Sequence, residues 1–157
     1  MLLRISPRVL VGMSFVSVLL GCCRSYPEGI PKRFYWMSPT QQEALFEKYD
    51  FDTQYQTYIY GNQQIEPPTF YLAKVFAREG SRIVQPLKAK LDRAENEATI
   101  RDIVFVFRDM NELGTYDVAA DKPLLDELRV KVLSMKNSAW RKVCEGELDE
   151  IVPQGPK

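Results

Sequence analysis

The chain has 157 residues, in which 21 Lys and Arg balance 21 Asp and Glu, and it contains no histidine. That length suits one domain with one core, and a charged fraction of 27% beside 45% apolar residues excludes both a disordered chain and a membrane bundle. The missing histidine removes Ser-His-Asp and Cys-His catalysis, the commonest general base and the His-containing zinc sites, while the balanced charge removes the cationic excess that nucleic-acid binding requires.

Met1 to Arg8 carries Arg4 and Arg8 and no acid, and Val9 to Leu20 is apolar apart from Gly12, Ser14 and Ser17. A basic n-region followed by a short apolar run reads as a secretory signal, and the run falls short of the roughly 20 residues that span a bilayer. It ends in Leu19, Leu20, Gly21 and Cys22, which resembles the lipobox of bacterial lipoproteins, with Leu20 standing where smaller residues are commoner. The resemblance implies lipid transfer to the Cys22 thiol, cleavage before it, and a domain tethered to a membrane. Cys23 and Arg24 follow where an Asp would imply retention at the inner membrane; the expected location is therefore the cell envelope, at the periplasmic face of an outer membrane. Removing Arg4 and Arg8 from the 21 basic residues leaves 19 against 21 acidic ones, a slightly acidic mature chain.

The expected organisation is a signal peptide over 1–21, a lipidated N-terminus and tether over 22–37, a helical domain over 38–152 and a flexible tail over 153–157. Pro27, Gly29 and Pro31 mark the tether, with Phe34, Tyr35 and Trp36 packing down at its end. Ser38 and Pro39 form a helix start, and Ala44, Leu45 and Tyr49 mark one face of about three turns. The aromatic stretch Phe51 to Tyr60 reads as a second helix capped by Asp52, and Pro67 and Pro68 open a third that ends at Gly80.

Ile83, Val84, Leu87 and Leu91 keep helical spacing through Pro86; after the polar Asp92 to Asn96, Ile100, Ile103, Val104, Phe107 and Met110 resume it. A strand over Ile103 to Phe107 is the rival reading, and the spacing on either side favours helix. With Pro86 early in the first helix, Leu87 and Leu91 after it, Asp92 at its end and Ile100-Arg101 opening the second, the segment Gly80 to Leu113 resembles a HEAT-like helical hairpin. A loop over Gly114 to Asp121 then leads to a helix from Pro123 with Leu124, Leu125, Leu128, Val132 and Leu133 inward. A last helix, capped by Asn137 or Ser138, runs through Trp140, Val143, Cys144 and Leu148. The predicted fold is all-α: antiparallel hairpins in a short HEAT-like solenoid or an irregular helical bundle.

Cys23 and Cys144 are left to pair across the domain or to stay free; the position of Cys144 on an apolar stripe favours a buried thiol. Carboxylate pairs occur at Glu43 and Glu47, Glu95 and Glu97, Asp126 and Glu127, and in Glu147, Asp149 and Glu150, all on predicted polar faces. Lys88, Lys90, Arg93 and Arg101 form a modest basic group among Asp92, Glu95 and Glu97. Without a phosphate-binding glycine loop, nucleophile elbow or metal cluster, neither catalytic residue nor cofactor nor metal is expected. Tyr55, Tyr58, Tyr60 and Tyr71 are the candidates for recognising a partner, with about half of them expected in the core. The expected function is a membrane-tethered, non-catalytic module that binds another envelope protein, as an assembly or accessory factor or a toxin immunity protein. A carboxylate-based enzyme acting on cell-wall glycan is the alternative.

Overall fold

The computed structural model describes residues 25–152, which form seven α-helices and one short 3₁₀ turn at Phe34–Trp36. The helices are α1 (Pro39–Phe46), α2 (Phe51–Gln64), α3 (Leu72–Ala77), α4 (Ser81–Asp92), α5 (Glu97–Leu113), α6 (Lys122–Leu133) and α7 (Ser138–Ile151). The all-α expectation holds, and the segment read as helix or strand at Ile103 to Phe107 is the middle of α5.

Helix α5 is the centre of the molecule. Ten of its residues are buried, from Thr99 through Val104 and then Val106, Phe107, Asp109 and Met110, so it is enclosed nearly all round. It packs most extensively on α7 and α3 and more sparingly on α2, α4 and α6. Its hairpin partner α4 is therefore not its main neighbour, and the arrangement is an irregular bundle around one helix. Ile83, Val84, Leu87 and Leu91 bury the inner face of α4 as their spacing predicts, while Pro86 sits on the exposed side.

Caps fix several boundaries. Ser38 Oγ accepts from the Gln41 N–H at 3.4 Å and Gln41 Oε1 accepts from the Ser38 N–H at 3.2 Å, a reciprocal capping box at the start of α1. That helix is shorter than expected: Gln42 and Phe46 are its buried residues, Ala44 is exposed and Tyr49 lies beyond its end. The cap of α2 is Asp50, not Asp52, because Asp50 Oδ1 accepts the Thr53 N–H at 2.8 Å and leaves Asp52 inside the first turn. Helix α3 begins at Leu72, later than Pro67 and Pro68 suggest: Phe70 and Tyr71 form a turn ahead of it, with the Leu72 N–H donating to the Thr69 carbonyl at 3.0 Å. Asn137 caps α7 through the N–H groups of Ala139 and Trp140.

Two glycines are required by geometry. Gly80 has φ +56°, and a Cβ there would stand 2.6 Å from the Thr115 carbonyl oxygen. Gly61, within α2, lets the helix approach Thr69 and Tyr35; a Cβ would lie 2.9 Å from Tyr35 Cε1 and closer still to Thr69 Oγ1.

The segment read as a tether belongs to the folded unit from Ser25 on. Pro27, Ile30 and Phe34 are buried, and the Tyr26 ring meets those of Tyr35 and Tyr60 at 6.0 and 5.4 Å. Trp36 does not pack down with Phe34 and Tyr35; it is 89% exposed. Leu133, Trp140 and Val143, expected on inward faces, are also exposed, because α6 buries Leu124, Leu125, Leu128 and Val132 and α7 buries Cys144, Leu148 and Ile151. The proposed cleavage and lipidation at Cys22, the second cysteine Cys23 and the tail from Pro153 lie outside the described residues. Cys144 is a free, buried thiol, and burial pushes its pKa up to about 11.

Candidate functional site

The four candidate tyrosines separate into three environments. Tyr58 is 1% exposed and donates its hydroxyl to the Asp102 carbonyl oxygen at 3.0 Å, which makes it a core residue and removes it from any recognition surface. Tyr71 is half-buried and spends its hydroxyl on Gln42 Oε1 at 2.5 Å, while Gln42 Nε2 reaches the Met37 carbonyl at 2.9 Å. Tyr55 and Tyr60, one and a half turns apart on α2, do come together: with Ser25, Pro27, Gln56 and Ile59 they line a surface hollow of about 300 Å³. Tyr55 also borders a second hollow, of about 330 Å³, with Lys90, Arg93 and Asn96.

The basic group near the hairpin turn does not act as one patch. Lys88 is taken by Glu127 at 2.5 Å and Asp92 at 3.6 Å; Lys90 is taken by Asp52 at 2.7 Å and lies 5.0 Å from the Tyr55 ring centre. Arg101 points elsewhere, into the bundle. Several of the paired carboxylates are likewise engaged. Glu43 and Glu47 flank Arg78 at 3.8 and 2.7 Å, Glu97 accepts the backbone N–H groups of Lys136 and Asn137 ahead of α7, and Glu147 meets Arg108 at 3.2 Å.

The residues that sequence reasoning missed run along one line of α5. Arg101 is 4% exposed, and its guanidinium lies between two rings, 4.9 Å from the centre of Phe70 and 4.3 Å from that of Trp140. Phe105, one turn on, meets Phe70 edge-on at 5.6 Å, and Arg108 lies 5.8 Å from the Phe105 ring. The result is a ridge from the turn ahead of α3 across α5 to α7, in which the buried Arg101 contacts two rings that remain partly in water: Phe70 is 37% and Trp140 36% exposed, with Val143 at 42% one turn along α7. The i, i+4, i+7 spacing of Arg101, Phe105 and Arg108 is visible in the sequence; the long-range partners Phe70 and Trp140 are not.

Behind the ridge lies a buried polar network. Arg101 Nε and Nη2 donate to Asp102 Oδ1 at 2.9 and 2.6 Å, and Gln63 Nε2 donates to Asp102 Oδ2 at 2.9 Å. Burial pushes the Asp102 carboxyl up, against the pull of Arg101 and Gln63. About two turns further on, Arg108 Nε lies 2.8 Å from Asp109 Oδ1 without hydrogen-bond alignment. Burial, opposed by Arg108 and Lys74, raises Asp109 to about 6. Burial raises Glu147 as well.

The raised carboxyls Asp102, Asp109 and Glu147 line none of the hollows described here. Glu112, which does border a shallow one with Arg108 and Glu150, is pulled down by the Lys74 ammonium 2.9 Å away. A proton donor poised for glycan cleavage needs a raised carboxyl facing a cleft, and these two properties fall on different residues. Among the described residues no group of His, Cys, Asp or Glu is placed to hold a metal ion, and no helix is long and apolar enough to cross a membrane. No protein-family profile, curated protein or solved structure matches the chain.

Proposed function

We propose that this chain is a bacterial envelope lipoprotein, lipidated on Cys22, whose helical domain is a non-catalytic module that binds another envelope protein. The observation that supports binding most directly is the ridge formed by Phe70, α5 and α7. Partly exposed Phe70 and Trp140 pack against a guanidinium that is bonded to Asp102, whose other carboxylate oxygen accepts from Gln63. Rigid aromatic anchors beside apolar Val143 lose little conformational entropy on association, and aromatic side chains dominate the energetics of protein interfaces. The placement of the raised carboxyls away from the hollows supports a binding role over glycan hydrolysis. Tyr55 and Tyr60, on the hollow beside Ser25, are a second contact region for the same role.

The test is site-specific photo-crosslinking in the native membrane. A crosslinker at Val143, on the ridge, is expected to trap one defined envelope protein, while one at Gln85, exposed on α4, is expected to trap none. Equal labelling from both positions would refute a specific partner surface on the ridge.

A further inference from the structure

Trp36 is the most exposed large apolar side chain among the described residues, at 89%, and its exposure is built in. The 3₁₀ turn that carries it is fastened to the domain by its other two residues: Phe34 is fully buried, and Tyr35 donates its hydroxyl to the Thr57 carbonyl oxygen of α2 at 2.8 Å. Trp36 is thus held outward by two anchored neighbours.

The residues leading into the turn are cationic. Lys32 and Arg33 are exposed and make no ion pair with a described residue, and residues 24–37 hold Arg24, Lys32 and Arg33 against the single acid Glu28. Glu66 also borders this edge, on a hollow of about 240 Å³ that includes Tyr35, Trp36 and Ile65.

The chain enters the fold at this same edge. Tyr26 lies with its ring 6.0 Å from that of Tyr35 and donates its hydroxyl to the Pro31 carbonyl at 2.7 Å. Only Cys23 and Arg24 separate Ser25 from Cys22, so an extended chain can carry the Cys22 Cα no more than about 11 Å from that of Ser25.

We infer that the edge formed by Lys32, Arg33 and Trp36 docks on the bilayer surface itself, with the indole at the headgroup level and the two cations on anionic lipid phosphates. This rests on the lipoprotein reading for its leash but makes a separate claim: the domain is seated on the membrane in a fixed orientation, not merely tied to it. The chemistry fits. Trp is enriched at membrane–water interfaces because its ring is apolar with a polar N–H, and Lys and Arg near an anionic surface are each attracted to it. With the lipid inserted, docking becomes intramolecular, so a small patch suffices where it would not hold a free protein. Docking this edge also places the Tyr55/Tyr60 hollow, which includes Ser25 and Pro27, close to the bilayer.

The experiment uses the processed full chain, reconstituted into phosphatidylcholine vesicles with and without phosphatidylglycerol. Trp140→Phe leaves Trp36 as the sole tryptophan and keeps a ring on Arg101. In anionic vesicles, Trp36 emission is expected to shift to the blue and to be quenched by lipids brominated on their acyl chains. Lys32→Gln and Arg33→Gln should each lower the ratio of docked to undocked protein about fivefold, with the circular dichroism spectrum unchanged. The mass of the Cys22 peptide, read on the same sample, reports lipidation independently. Lipid mass with Trp36 unquenched overturns the docking and spares the lipoprotein reading. An unmodified protein whose Trp36 is still quenched by anionic vesicles supports the docking edge and overturns the lipid anchor. An unmodified, unquenched protein overturns the lipid anchor and, with it, the docking that depends on that lipid.

Discussion

Arg101 turns its guanidinium onto the carboxylate of its own sequence neighbour, with Nη2 2.6 Å from Asp102 Oδ1, although side chains at i and i+1 on a helix diverge. The ring centres of Phe70 and Trp140 lie 4.9 and 4.3 Å from the guanidinium, and Arg101 and Asp102 are 4% and 0% exposed. Asp102→Ala would leave an unpaired charge in the middle of the bundle. The expected loss is about 3–5 kcal/mol of unfolding free energy. Replacing Arg101 by Met in the same chain should restore a substantial part of it, since the stranded charge is then gone. Urea unfolding of the two single variants and the double variant measures this; additive losses would show that the two residues are not coupled.

Mild acid is expected to strengthen the fold before stronger acid weakens it. Asp109 titrates in the folded protein at about 6, above the ordinary aspartate value, so between the two values the folded state binds more protons than the unfolded one. Its contribution therefore grows as pH falls through 6 and is lost as pH rises through that value. Glu147 and Asp102 are shifted in the same direction. Asp92, Glu112 and Asp50 are shifted downward by their hydrogen-bond and charge partners, so what they contribute is present above the ordinary carboxylate range and lost below it. Urea midpoints should rise from pH 7 to pH 5 by the equivalent of about 1–2 kcal/mol, allowing for screening, then fall below pH 4. Asp109→Asn should flatten most of the rise.

Phe107 is fully buried on α5, as its period requires. Phe107→Ala is expected to cost about 3–5 kcal/mol through lost transfer energy and the cavity left behind. A thermal scan that shows little change would place Phe107 outside the core.

Periodicity makes α4 readable because a helix that buries one face must show its apolar positions at regular intervals, as Ile83, Val84, Leu87 and Leu91 do through Pro86, and α5 keeps the same spacing in Ile100, Ile103, Val104, Phe107 and Met110 although it is enclosed more widely. The capping signals of Ser38 and Asn137 were equally local, whereas Asp50 and Asp52 offer the same side chain two residues apart and only the contact with the Thr53 N–H separates them. What stayed hidden depends on distant pairing. Tyr58 looks like its neighbours Tyr55 and Tyr60 until Asp102, 44 residues away, is seen to accept its hydroxyl. Trp140 and Leu133 were read as inward because α6 and α7 are amphipathic, but each bundle seam accommodates a narrow stripe, and the residues flanking it stay in water. The buried Arg101 reads in sequence as one more surface cation.

Lipidation is tested on the precursor. Cys22→Ser together with Cys23→Ser should leave an uncleaved chain that takes up no labelled palmitate; both thiols are removed because Cys22→Ser alone would place Leu20, Gly21 and a serine directly before Cys23, a new lipobox-like end to the apolar run. Normal processing, read as an unchanged mass, would sink the lipoprotein reading.

The ridge prediction separates recognition from stability. Phe70 and Trp140 each leave over a third of their surface in water, so truncating them removes little from the core, yet both are pinned against Arg101 and present rigid apolar area outward. Anchors of this kind commonly account for more than about 1 kcal/mol each in an interface, which is over fivefold in affinity. Phe70→Ala and Trp140→Ala are therefore expected to weaken capture of the protein trapped from Val143 by at least that factor, with Trp140→Phe close to wild type because it keeps a ring on the guanidinium. Tyr58→Ala should behave in the opposite way: the hydroxyl bond to the Asp102 carbonyl and a fully buried ring are lost, so the fold weakens by about 3–5 kcal/mol, while protein that remains folded binds normally. Binding isotherms paired with unfolding curves for the four variants read both quantities. If Phe70→Ala and Trp140→Ala lowered stability as much as Tyr58→Ala and left affinity unchanged, the ridge would be a structural seam of the bundle and the partner surface would lie elsewhere, with Tyr55 and Tyr60 the next place to look.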